Sequence, residues 1–132
     1  MNKVVPEVLS KHILPFNWDV NKLWLLDCDS VLADRKNFDY LLNLPLWSSK
    51  PNIGMLFDIS PMEVIESNSI SPHQYERVIN ADLNWPIDVL KYDGRIWVLD
   101  GVHRIAKAYI NKVLTMSVRI HDTMVIPLIK KC

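Results

Sequence analysis

The hydrophobic positions change their period along the chain, and each change predicts an element. Thr115–Asp122, TMSVRIHD, alternates apolar and polar residues, with Met116, Val118 and Ile120 on one side, which predicts a half-exposed strand. Ile96–Leu99 is instead unbroken, β-branched and aromatic, as in a strand buried on both faces. Trp85–Leu90 forms a second short apolar run, and Asp93-Gly94 between the two predicts a hairpin turn. Past Gly101 the period becomes helical: Ile105, Ala106, Ala108, Tyr109 and Val113 recur at helical spacing without proline or glycine.

Helix starts are marked upstream. Ser60-Pro61-Met62-Glu63 combines a serine N-cap, a proline at the first helical position and a glutamate at the third, a complete capping box. Ser71-Pro72 repeats part of that signature and opens a helix running to about Asn80. Met55–Ile59 reads as a strand after a linker over Ser48–Gly54. Asp19 is placed to cap a short helix through Asp27, and the apolar Asp39–Trp47 is interrupted by Pro45. Met124–Ile129 reads as a last strand or an edge segment broken by Pro127. Together these elements predict an α+β fold, a small mixed β-sheet with packed helices, in a single domain over residues 1–132.

The richest candidate chemistry lies between strand and helix, at Asp100-Gly101-Val102-His103-Arg104. A glycine there tolerates backbone angles and close approaches that a Cβ forbids. The helix that follows leaves its first N–H groups unpaired and carries a partial positive charge at its start. Arg104 adds a forked donor matched to phosphate oxygens, and His103 a group that donates, accepts or titrates near neutral pH. The plainer reading keeps Asp100 as an N-cap, Gly101 as a turn residue and the basic pair in solvent. On the preceding helix His73, Glu76, Arg77 and Asn80 form one polar stripe. It is either a solvated face or a set in which His73 and Arg77 meet the ligand of His103 and Arg104, with Asp82 orienting a basic residue and Lys107 one turn further along.

Pro86, Ile87, Val89, Leu99, Gly101, His103, Arg104 and Ala108 together resemble the ParB/sulfiredoxin-like superfamily. Its members share a proline-isoleucine strand, a hairpin, a strand ending in glycine and a basic pair opening a helix. The resemblance spans roughly residues 58–120 and implies a ParB/sulfiredoxin-like core over residues 53–132, with residues 1–52 as an N-terminal extension. It implies a nucleotide or another phosphorylated small molecule as ligand, ATP or CTP with magnesium as cofactor, and small-molecule phosphotransfer or nucleotide hydrolysis as activity. In that reading Gly101 and Arg104 hold phosphate, His103 stabilises developing charge, and Asp100 or Asp82 serves as base or magnesium ligand. Between glycine and basic pair, ParB-type proteins carry a glutamate and sulfiredoxins the catalytic cysteine; here the residue is Val102, which can be neither. Sulfiredoxin chemistry is therefore not expected. With Val102 in that place, a noncatalytic regulatory nucleotide-binding module is the alternative to an enzyme.

Composition narrows the classes further. With 49% hydrophobic and 23% charged residues the chain has the makeup of a globular domain. Lys plus Arg and Asp plus Glu both number 15, so a general electrostatic grip on nucleic acid is not predicted. A DNA-associated, nuclease-like protein is disfavoured by that balance, and with Cys132 as the last residue no DNA-reading helix-turn-helix is expected. Cys28 and Cys132 stand far apart and propose neither a disulfide framework nor a metal site. Asp27, Asp29 and Asp34 match no calcium loop and read as turn and cap residues rather than metal ligands. Without a signal-peptide core or a long apolar run, a cytoplasmic protein that does not span a membrane is expected. Trp18, Trp24 and Trp47 are expected to pack as core or lid residues over the family-like half.

Overall fold

The structure, a computed structural model, describes residues 7–51 and 56–131. It has the predicted α+β architecture, built on a four-stranded mixed sheet of β1 (Ser30–Asp34), β2 (Ile87–Tyr92), β3 (Arg95–Asp100) and β4 (Thr115–His121). The spatial order is β1-β4-β2-β3. β2 and β3 form the predicted antiparallel hairpin, with Leu90 opposite Trp97, and Asp93 and Gly94 take φ values of 51° and 75° in its turn. β4 then returns parallel to β2, placing Val118 beside Ile87, and β1 closes the far edge antiparallel to β4.

Among the described residues five short α-helices surround the sheet: α1 (Val20–Trp24), α2 (Pro61–Glu66), α3 (Pro72–Asn80), α4 (Val102–Ile110) and α5 (Ile126–Ile129). The capping box is present in full, since Glu63 N–H donates to Ser60 Oγ and Ser60 N–H to Glu63 Oε1. Ser71 starts α3 but does not cap it; its hydroxyl donates to Ser49 O instead.

The period-2 geometry of β2 divides the core. Ile87 and Val89 face α2, α3 and α4 and pack with Val64, Val78, Ile105 and Val118, whereas Leu90 faces the other way, toward Leu14, Leu23, Leu99 and Ile129. Burial of each such aliphatic side chain contributes roughly 1.5 to 3 kcal/mol. Leu14, Phe16, Trp18 and Leu23 cover this second face. Trp18 Nε1 donates to Leu99 O at 3.1 Å, and Arg95 Nη1 donates to Lys11 O at 2.7 Å.

Several expectations are corrected. Met124–Ile129 is not a strand: Thr123–Val125 makes a 3-10 turn and α5 follows, because Pro127 sits at the start of a helix, where its missing N–H is harmless. The helix begun at Asp19 ends at Trp24 after little more than one turn rather than at Asp27. Residues 52–55 lie outside the described residues, so the linker and the strand expected from Met55 are described only in part; Ile59 makes an isolated bridge to Trp47 instead of a strand. Asp39–Asn43 is a 3-10 helix. β3 is not buried on both faces, since it is the sheet's edge and leaves Ile96 40% exposed. β1 is an element that the hydrophobic pattern does not predict. Among the described residues no three His, Cys, Asp or Glu side chains form a group able to hold a metal, and no helix is long and apolar enough to cross a membrane.

Candidate functional site

β3 hands the chain to α4 through Gly101, whose φ is +120°. A Cβ on this residue would stand 2.8 Å from Ile87 Cβ, so the glycine is demanded by packing against β2 as well as by its backbone angle. Successive helix residues point about 100° apart. His103 and Arg104 therefore leave the same turn in different directions.

His103 turns toward α3. Its ring stacks on Trp47 with centroids 4.3 Å apart and planes at 8°, and its Nε2 lies 2.8 Å from Gln74 Oε1. Gln74 Nε2 donates to Ser48 O at 3.1 Å, which leaves Oε1 as the acceptor and makes His103 Nε2 the protonated nitrogen. Burial, with the charges of Arg77, Arg104 and His73 added to it, lowers the His103 pKa to about 3. The imidazole is neutral at physiological pH and held on two sides.

Arg104 turns toward a cavity of about 360 Å³, with its side chain 18% exposed. It lines that cavity together with Arg77, Asp82, Asp100, Gly101 and His103, so six of the sequence-identified residues meet there. Arg104 Nη1 donates to Pro86 O at 3.1 Å, and Nη2 lies 3.6 Å from Asp100 Oδ2. The same Asp100 oxygen accepts from Trp24 Nε1 at 2.9 Å, a bond from α1 to the end of β3. Arg77 reaches the cavity from α3 and makes no hydrogen bond or ion pair with a described residue. The N–H groups of the first turn of α4 are without helix partners by construction.

Two of the expected residues stand apart. His73 does not line the cavity; its Nδ1 is 3.0 Å from Ser71 Oγ. Lys107 donates to Ala81 O at 2.6 Å, tying α4 to the end of α3, and faces a neighbouring cavity that Asp82 also lines. Asp82 and Asp100 are the two carboxylates of the Arg104 cavity, and each is engaged, Asp82 by Asn84 N–H and Asp100 by Trp24 and Arg104. They do not form a protein-built magnesium cage.

A second polar cluster, which the sequence pattern does not predict, lies beneath Trp24. Asp88 stands opposite Asp100 across the hairpin, at a register shift in β2, and is 3% exposed. Its Oδ1 accepts from Arg119 Nε and from His121 Nε2, both at 2.8 Å, and Arg119 Nη2 donates to Leu23 O. A carboxylate inside the apolar run Trp85–Leu90, and two basic residues on the polar side of the alternating β4 segment, were the signals that pointed to it.

No family model, curated protein or solved structure matches the chain.

Proposed function

We propose that the protein is a noncatalytic binding module for a phosphorylated small molecule, a nucleotide foremost, with the phosphate seated between α3 and the start of α4. One observation carries this reading: Arg77, which makes no hydrogen bond or ion pair with a described residue, faces the same cavity as Arg104 and the opening N–H groups of α4. Two guanidinium forks and a helix start from separate elements offer a phosphate more donors than either element alone. The resemblance of the glycine turn and basic pair to ParB/sulfiredoxin-like domains supports the same ligand class. The noncatalytic character follows from the neighbouring groups. Val102 has no reactive atom, His103 is neutral and bonded to Gln74, and Asp100 is held by Trp24 and Arg104.

Calorimetry with a panel of nucleotides and sugar phosphates tests the proposal. Arg104→Ala is expected to weaken binding by about 1.5 to 3 kcal/mol, roughly tenfold or more, through loss of a charge-assisted pair. A wild-type protein that binds none of the panel refutes the phosphate seat. Steady phosphate release from a bound nucleotide refutes the noncatalytic character.

A further inference from the structure

Beside the phosphate seat lies a second chamber of about 450 Å³, walled by Trp24, Trp85 and Pro86 and lined deeper by Asp88 and Arg119. Arg104, Trp24 and Trp85 line both spaces, so the two are parts of one cleft. Its walls are apolar and aromatic. Trp24 and Trp85 nevertheless remain 54% and 65% exposed, large indole faces held at a cavity mouth rather than folded into the core.

The floor carries the specificity. Both hydrogen bonds to Asp88 fall on Oδ1, from Arg119 and from His121. No fully buried side-chain oxygen or nitrogen among the described residues lacks a partner, so Oδ2, which accepts no bond from a described residue, keeps some exposure, and Asp88 lines the chamber. A carboxylate oxygen at the bottom of an aromatic slot accepts an N–H, and Arg104 and Arg119 beside it disfavour a cationic ring.

We infer that this chamber seats a flat nitrogen heterocycle bearing N–H donors, stacked at the indoles of Trp24 and Trp85 and bonded to Asp88 Oδ2, on the same ligand whose phosphate meets Arg77 and Arg104. This assignment rests on the phosphate-binding reading and names the other half of its ligand: a nucleotide, distinguished from a simple sugar phosphate by its base. Trp24 comes from the N-terminal segment, so that segment supplies one wall of the ring subsite, Trp85, Pro86 and Asp88 supply the rest, and α3 and α4 build the phosphate seat.

Titration of the full chain with adenosine 5′-monophosphate, cytidine 5′-monophosphate, ribose 5-phosphate, adenosine and purine riboside 5′-monophosphate tests it, read by calorimetry and tryptophan fluorescence. Adenosine 5′-monophosphate or cytidine 5′-monophosphate is expected to bind about tenfold tighter than ribose 5-phosphate, the size of a single base-stacking contribution. Trp85→Ala should remove most of that advantage, weakening the nucleotide far more than ribose 5-phosphate, and be rescued largely by Trp85→Phe. Purine riboside 5′-monophosphate keeps the stacking face but has no N–H donor on its base, and should bind several-fold weaker than adenosine 5′-monophosphate. Equal affinities for nucleotides and ribose 5-phosphate, untouched by Trp85→Ala, overturn the ring subsite and leave the phosphate seat standing. Adenosine binding as tightly as its monophosphate, dependent on Trp85, overturns the phosphate seat alone. Silence from every compound overturns both.

Discussion

On one side of the first turn of α4, His103 lies flat on Trp47 and donates to Gln74; on the other, Arg104 reaches into an open cavity with Arg77 opposite. The two residues are adjacent in sequence and belong to different environments. The His103 side is sheltered, and burial keeps the imidazole uncharged. The Arg104 side opens onto the cavity that Arg77 also lines. A protonated His103 would add a third positive charge to the cavity that Arg77 and Arg104 line. Its neutrality leaves the positive charge of the turn concentrated on the two arginines that line the cavity, while its stacking and hydrogen bond fix where α4 begins.

Both sides depend on Gly101, and the largest effect is expected there. Alanine at this position adds a Cβ against Ile87 and must hold a φ of +120°, which L residues rarely adopt. Strain and overpacking together predict a loss of about 3 kcal/mol or more, and the loss should appear as a lower urea midpoint. An alanine variant as stable as the wild type would mean that the turn is not the shared frame of the two sides.

Acid should separate them next. His103 has a folded pKa of about 3 against an ordinary value near 6.5, so the unfolded chain binds a proton that the folded chain refuses. Stability from this group is complete above about pH 6.5 and is lost progressively as pH falls toward 3, by on the order of 2 to 4 kcal/mol. His12, lowered by burial and by Arg95 and Lys11, acts in the same direction, so the informative quantity is the difference from His103→Gln. That variant should show a shallower fall in urea midpoint between pH 6.5 and 4. Parallel profiles would place the titration elsewhere and remove the sheltered side of the comparison.

Elements dictated by neighbouring residues were readable in the sequence, and elements dictated by distant ones were not. The Asp93-Gly94 turn, the Ser60–Glu63 capping box and the change to helical period after Gly101 are local, and each is present. β1 shows no alternation because it is an edge strand with most of its residues exposed; its pairing comes from β4, about 85 residues away in sequence. Trp24 was readable as an aromatic residue but not as a donor to Asp100, 76 residues further on. The Arg104 cavity was anticipated because its residues sit on elements with strong local signals. The roles of Gln74 and Asp88 were not, since each is defined by partners on other elements.

The smallest effect on folding, and the finest test of the comparison, belongs to Arg77. Arg104 has two jobs: it holds Pro86 O and stands near Asp100, and it lines the cavity. Arg77 has no hydrogen bond or ion pair with a described residue to lose. Arg104→Ala is therefore expected to lower stability by about 1 kcal/mol while weakening phosphate binding, whereas Arg77→Ala should leave the urea midpoint within roughly 0.5 kcal/mol of wild type. Binding should reverse that order or equal it. A guanidinium with no internal partner has nothing to release before meeting a phosphate, so its removal should weaken a nucleotide by about 1.5 kcal/mol or more. The removal of a positive charge near His103 should also raise that histidine's depressed pKa slightly, visible in its ring proton shifts on titration. An Arg77→Ala protein that binds the nucleotide panel as tightly as wild type would reduce the phosphate seat to Arg104 and the start of α4.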